Sequence, residues 1–441
     1  MRSRPRLLGP RTGITALMVA VAASGLVLLD STGPAEAETR RMPGSFTGFA
    51  FDACQAPDQA SMDVWRERSP YWGVGIYTSG TNRFCAEQEH LSASWVDTQA
   101  RRGWVLLPLH VGLQASCTRP DRWAKIDPDP ADGYAAARAQ GRDEAAEAVA
   151  AAASYGIGRG STLWYDLEHF DVSRDACRES ALSLVTGWTR ALHDAGYRSG
   201  FYSSASSGIR MLEQERREPS GHTLPDQLWI AEWNGRATTR SGYVGDDGWA
   251  RDRVHQYRGG HDETYGGVTL NIDSNVMDVG GGTRPGRAAP HCGVRIDFPT
   301  YPRLGRGDRG DHVRAAQCLL RRQGLYDGRL HGRYTPATAR AVRRFSAATV
   351  GLPTGPALTG RAWTALLSRG ADPVVKYGSG GNDVRRLQRS LNAAVRARLP
   401  VDGVFAGATR AAVRDYQRSQ AMARTGVAEG RLWARLQQGR R

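Results

Sequence analysis

An α/β chain, a (β/α)8 TIM-like barrel followed by two small three-helix domains, is the fold this sequence predicts. Three observations predict it. Eight short apolar runs alternate with helix-like or Gly-rich stretches over residues 45–280. Polar residues gather at the C-terminal ends of those runs. Beyond residue 304 the chain repeats itself at a fixed offset of 71, Gly310 falling on Gly381.

The apolar runs cover residues 48–54, 72–77, 104–110, 162–168, 199–203, 227–233, 253–257 and 268–273. Their length and turn-rich flanks suit barrel strands. The Ala-rich stretch 134–155 and the segment 181–195 have the length and patterning of crossover helices. A connector follows over 281–303, with Pro285, Pro290, Pro299 and Pro302 after a Gly280-Gly281-Gly282 run, and it reads as an extended tether that lets the barrel sample its surroundings.

The repeats occupy 304–370 and 375–438. Val313 pairs with Val384, Gln317 with Gln388, Leu320 with Leu391, Gly332 with Gly403, Thr338 with Thr409 and Phe345 with Tyr416, without a gap. Apolar residues recur at helical spacing in each copy, and Trp363 and Trp433 close a third helix. Such units lie near the lower size limit for folding alone.

Composition agrees with a soluble folded chain: 40% hydrophobic, 23% charged, mean hydropathy -0.48. Arg2, Arg4, Arg6 and Arg11 precede an apolar run from Ile14 to Leu29 and the small-residue site Ala35-Glu36-Ala37, so residues 1–37 read as a secretory signal. The product is expected to be secreted, extracellular or wall-associated, with no stable membrane insertion after cleavage. The formal charge of +15 is concentrated in residues 304–441, which hold 26 Lys and Arg against 8 Asp and Glu. That polarity attracts a polyanion, and export selects an anionic wall or membrane surface over nucleic acid.

Chemistry concentrates at the strand ends. Asp52, His110, Asp166, Glu168, Glu232, Gln256 and Asp273 sit there, the face on which barrels build active sites. With a strand period of two, Asp166 and Glu168 point to one side, roughly 7 Å apart along the backbone. Two close carboxylates repel, so one keeps its proton while the other ionises. That is the division of labour a glycosidase uses. Glu168 is the expected acid and Asp166 the stabilising carboxylate, with Asp52 and Asp273 around the sugar ring and Glu232 an alternative second carboxylate. His110 and Gln256 are expected to bind substrate, and Tyr77, Trp164, Tyr202, Trp233 and Tyr257 offer faces for stacking on sugars. The ten histidines show no His-Glu-x-x-His spacing, so a metal-dependent amidase or peptidase is the weaker reading and no metal or cofactor is expected.

Two resemblances sharpen this. The run Asp402-Gly403-Val404-Phe405, with Thr409, Ala412-Val413 and Tyr416-Gln417, resembles the type 1 peptidoglycan-binding domain. The first copy departs from it at His331 and Ser346, which implies weaker ligand binding there. The runs Gly48-Phe49-Ala50-Phe51-Asp52-Ala53-Cys54, Gly75-Ile76-Tyr77, Leu107-Pro108-Leu109, Tyr165-Asp166-Leu167-Glu168, Gly200-Phe201-Tyr202-Ser203-Ser204 and His255-Gln256-Tyr257 resemble glycoside-hydrolase-like barrels. Those are similar in turn to muramidases that place Asp on the first strand, Asp-x-Glu on the fourth and Asp on the eighth, matched here by Asp52, Asp166, Glu168 and Asp273. The resemblance implies a hydrolase acting on the glycan strands of peptidoglycan, and the basic tail is expected to take peptidoglycan and associated anionic wall polymers as binding partners. A wall-binding protein whose barrel holds glycan without cutting it is the second reading.

Six cysteines in an exported chain favour disulfides. Neighbouring strand ends suggest Cys54–Cys85 and Cys117–Cys177, and Cys292–Cys318 would staple the connector to the first repeat.

Overall fold

The computed structural model describes residues 41–441, so the signal expected over 1–37 lies outside the described residues. Eight strands close a barrel in sequence order: β1 (Phe46–Asp52), β2 (Tyr71–Ser79), β3 (Val105–His110), β4 (Thr162–Asp166), β5 (Arg198–Ser204), β6 (Gln227–Ala231), β7 (Arg253–Tyr265) and β8 (Val268–Val279). Helices α1 (Gln59–Arg68), α2 (Ala93–Arg101), α3 (Ala135–Ser154), α4 (Asp175–Asp194) and α5 (Arg210–Arg217) cross between the first six strands. Side-chain caps fix two of their starts: Asp58 accepts from the Ser61 amide and Ser92 from the Trp95 amide.

The eighth strand departs from a regular (β/α)8 barrel. No helix separates β7 from β8; they form a hairpin, and β8 runs antiparallel to both β7 and β1. Asp273 is therefore mid-strand, not at a C-terminal end. It still reaches the same rim, because the antiparallel register sets it directly opposite Asp52 at the end of β1.

Alternation along the strands divides the core. Ala50, Leu107, Leu109, Trp164, Trp229, Val254 and Met277 fill the barrel interior. Phe51, Val74, Ile76, Leu106, Leu163, Phe201 and Ile230 face outward against the helices. All three disulfides form: Cys54–Cys85, Cys117–Cys177 and Cys292–Cys318. Among the described residues no helix is long and apolar enough to cross a membrane.

The basic region folds as two three-helix units, α6 (Asp311–Arg322), α7 (Pro336–Ala347) and α8 (Gly360–Ser368), then α9 (Asn382–Ala394), α10 (Gly407–Ser419) and α11 (Gly430–Gln437). The duplication extends to hydrogen bonds. Gln317 donates to the Arg333 carbonyl and to Thr338 and accepts from the Gly332 amide; Gln388 does the same with Val404, Thr409 and Gly403. Buried Trp363 and Trp433 each donate to a proline carbonyl, of Pro302 and Pro373.

The connector is not the free tether its Gly and Pro content predicts. Ile296, Phe298 and Tyr301 enter the core of the first unit. Its backbone is bonded to the second unit: the Ala289 amide donates to Asn382 at 2.9 Å, and Asn392 donates to the Phe298 carbonyl at 3.0 Å. Arg389 pairs with Asp297 at 2.8 Å. Composition reports the lack of regular structure here, but not the fixed partners that hold an irregular segment in place.

The second unit is seated on the barrel. Lys376 is fully buried at the barrel base, where its ammonium donates to the carbonyls of Arg66 at 2.6 Å and Ser69 at 2.9 Å. It also lies 4.3 Å above the Trp72 ring. The Tyr377 ring packs on outward-facing Phe49 at 5.1 Å, the Arg410 guanidinium covers the same phenyl ring, and Arg68 pairs with Glu429.

Candidate active site

An open cleft of about 240 Å³ lies at the rim where β1, β4 and β8 end or pass, and Asp52, Asp166, Glu168 and Asp273 all line it. Strand alternation delivers three of them, and Glu168 follows in the loop two residues after β4. Asp52 follows Ala50 on the inward face, Asp166 follows Trp164, and Asp273 shares its face with Met277. Gly75 on β2 makes room, since a Cβ there would stand 2.7 Å from that of Asp52.

Gln256 links two of the acids, donating to Asp273 at 3.0 Å and to Asp52 at 3.3 Å. Tyr77 donates to Asp52 at 3.1 Å, and Tyr202 donates to the Gln256 amide oxygen at 3.1 Å. Trp233 donates to that same oxygen at 2.8 Å and is 68% exposed, so its ring stands at the rim with a face free.

Several predicted residues go elsewhere, for one reason. His110, Glu232 and Tyr257 each follow an inward residue by one position, so they point out of the barrel. Buried His110 bonds Glu144 of α3 at 2.6 Å and Ser79 at 2.8 Å and stacks on Trp188. Glu232 does not line the cleft. Tyr257 lies outside, near Tyr71 and Ser274. Trp164 faces inward but is fully buried below the acids, in edge contact with Trp229. His110, Tyr257 and Trp164 thus depart from their expected place as binding residues, and Glu232 from its expected place as the alternative second carboxylate.

Other residues escaped the sequence reading. Asn275 donates to Asp52 at 2.6 Å, and the indole of Trp229 donates to the Asn275 oxygen at 2.8 Å, which fixes the amide's orientation. Its position two residues after Asp273 on one strand was the available signal. Gln114 anchors the end of β4 by accepting from the Glu168 amide and donating to the Asp166 carbonyl, both at 2.8 Å. Nothing in its loop marks it. Phe84, 92% exposed beside the Cys54–Cys85 bridge, and Trp123 complete the rim.

Electrostatics follow from four acids in one partly dry cleft. Burial, then Asp273, raises the Asp52 carboxyl to about 7 against three hydrogen-bond donors that favour its charge. Asp166 is held well above the carboxylate range by burial and by Glu168 and Asp52, and its buried Oδ1 has no hydrogen-bond partner among the described residues. Burial and Asp273 also raise Glu168. Asp273 is raised by burial, while the Gly260 amide and His261 oppose this. Asp166 thus suits a neutral carboxylic acid, contrary to the expectation that it would be the ionised partner. Among the described residues no group of three or more His, Cys, Asp or Glu could hold a metal ion.

A stability test isolates Asp166. An unfolded Asp ionises near 3.8, whereas the native group keeps its proton to higher pH, so stability declines as pH rises between the two values. Asn has no proton to lose. The Tm of Asp166→Asn is expected to match the parent at pH 4 and to rise above it progressively toward pH 8. A gap that is independent of pH would refute the assignment.

Residues 63–277 match the family described as Rv2525c-like, glycoside hydrolase-like domain, a segment that begins after Asp52, and residues 380–436 match a peptidoglycan binding domain. Three solved structures are similar over 52% of this chain. The Mycobacterium tuberculosis Tat-secreted protein Rv2525c in complex with L-tartrate is 10% identical, with 95% of that chain covered and a TM-score of 0.35. The Streptococcus pneumoniae modular autolysin LytC is 13% identical, with 46% covered and a TM-score of 0.33. The Clostridium perfringens spore cortex lytic enzyme SleM is 15% identical, with 67% covered and a TM-score of 0.35. No curated protein matches the chain. With its closed eight-stranded barrel and helical tail, the chain carries an Rv2525c-like, glycoside hydrolase-like domain joined to a peptidoglycan binding domain.

Proposed function

We propose that the protein works in the cell wall, outside the membrane, and hydrolyses a glycosidic bond of the peptidoglycan glycan strand. One observation carries this reading: four carboxyl groups, from β1, β4, β8 and the loop after β4, line a single open, sugar-sized cleft, with surroundings that keep some protonated. The matched peptidoglycan binding domain supports the substrate class, and three disulfides suit an oxidising compartment.

Glu168, half-buried and facing the cleft, gives its proton to the glycosidic oxygen as the bond to the anomeric carbon breaks. Asp273, which receives the Gly260 amide and the Gln256 side chain, is the carboxylate that faces the developing positive charge, with Asp52 beside it. Water supplies the hydroxyl taken up at the anomeric carbon, and its proton restores Glu168. Tyr77, Phe84 and Trp123 offer faces for sugar rings at the rim. The basic tail adds attraction to anionic wall polymers.

Purified walls incubated with the secreted protein should gain new reducing ends, and borohydride labelling of the products names the sugar. Absence of new reducing ends, with cosedimentation on walls intact, would leave the protein a binder and remove the hydrolase reading.

A further inference from the structure

The two three-helix units present the same face to different surroundings. At the 71-residue offset, Lys376, Tyr377 and Arg410 correspond to Gly305, Arg306 and Ala339. In the second unit those three residues are the ones pressed into the barrel, through the Arg66 and Ser69 carbonyls and the Phe49 ring. The corresponding face of the first unit is an open cleft between the 303–308 segment and α7. Arg303, Arg306, Arg340 and Arg343 line it, with Asp308.

All four arginines are exposed, and among the described residues none of their guanidinium groups makes a hydrogen bond or an ion pair. The one acid is engaged locally, accepting from the Gly305 amide at 2.7 Å. The guanidinium groups of other exposed tail arginines, Arg329 and Arg424 included, also lack partners among the described residues, but they do not line this cleft; the distinguishing feature is four such groups around one opening. Four unpaired guanidinium groups around one cleft are a surface without its counter-charge.

We propose that this cleft is an anchoring site of the protein and that its occupant is a phosphodiester polymer of the wall. The inference rests on the wall-directed reading above, but needs no turnover. Phosphodiesters carry one permanent charge per repeating unit, which suits several separate cations along a cleft. A muropeptide stem is the poorer fit, because its carboxylates are few and are partly balanced by its own amines. Duplication then has a division of labour: the second copy gives this face to the barrel, and the first keeps it open for the wall.

The test uses the full chain and two soluble probes, poly(glycerol phosphate) and a disaccharide-pentapeptide. Arg340→Glu/Arg343→Glu is compared with Arg329→Glu/Arg424→Glu, which makes the same change in net charge away from the cleft. The cleft pair should weaken polymer binding by about tenfold or more, ~1.4 kcal/mol, and the control pair by about twofold or less, since distant exposed charges are screened. Muropeptide binding and release of reducing ends should not change in either. Equal losses in both pairs, undiminished polymer binding in the cleft pair, or a loss confined to the muropeptide would each overturn the proposal. A parent that releases no reducing ends while the contrast between the pairs persists would defeat the hydrolase reading and uphold the anchoring site.

Discussion

Glu168→Gln is expected to lower reducing-end release from walls by about 10²-fold or more, the scale of losing a positioned general acid, while wall cosedimentation stays at the parent level. Gln preserves the volume and the backbone hydrogen bond from Glu168 to Gln114, so the cleft keeps its shape and loses only the transferable proton. The size of the effect follows from where the group sits. Burial and the nearby Asp273 carboxylate raise its pKa, so that it holds a proton where a free Glu would not. Release within a few-fold of the parent would mean that another group delivers the proton. Asp166 would then be the first to examine, as the neutral acid beneath it.

Lys376→Ala is expected to have the largest effect on stability, about 3 kcal/mol from the emptied volume and two carbonyls left without their donor. Burial, and then repulsion from the Arg66 guanidinium, pushes this ammonium far below the usual lysine range. The Arg66 and Ser69 carbonyls and the Trp72 face oppose that, and together they make the side chain the pin between barrel and tail. Denaturant unfolding should show the lowered midpoint, and limited proteolysis should open new cuts within 281–303 once the second unit lifts away. An unchanged midpoint with the same protease resistance would mean that Tyr377, Arg410 and the Arg68–Glu429 pair suffice.

Much of the fold was legible because barrel strands and duplicated helices both leave periodic marks. Asp52, Asp166, Glu168 and Asp273 stood out because acids at the ends of apolar runs are conspicuous. His110, Tyr257 and Glu232 were misplaced because being near a strand end says nothing about which face a residue takes. A shift of one position turns a side chain from cleft to helix layer. The hairpin that reverses β8 was hidden because direction leaves no trace in a short apolar run. Gln114 and Asn275 were missed because their role is to hold backbone and carboxylate in place through partners far away in sequence. Lys376 was unreadable for the same reason: nothing local separates a cation destined for a barrel base from one on the surface.

The hairpin closure also bears on whether the parts can be separated. A regular barrel of this kind would wrap its last strands in a further helix, and this one has none there. The outer side of β1 and its neighbours instead meets Tyr377 and Arg410 of the second helical unit. The tail therefore completes the barrel's coat as well as carrying it. A truncation that removes the tail would leave Phe49 and its surroundings bare to water, so an excised barrel should tend to self-associate, and swapping the tail for an unrelated anchor would not yield an interchangeable cassette.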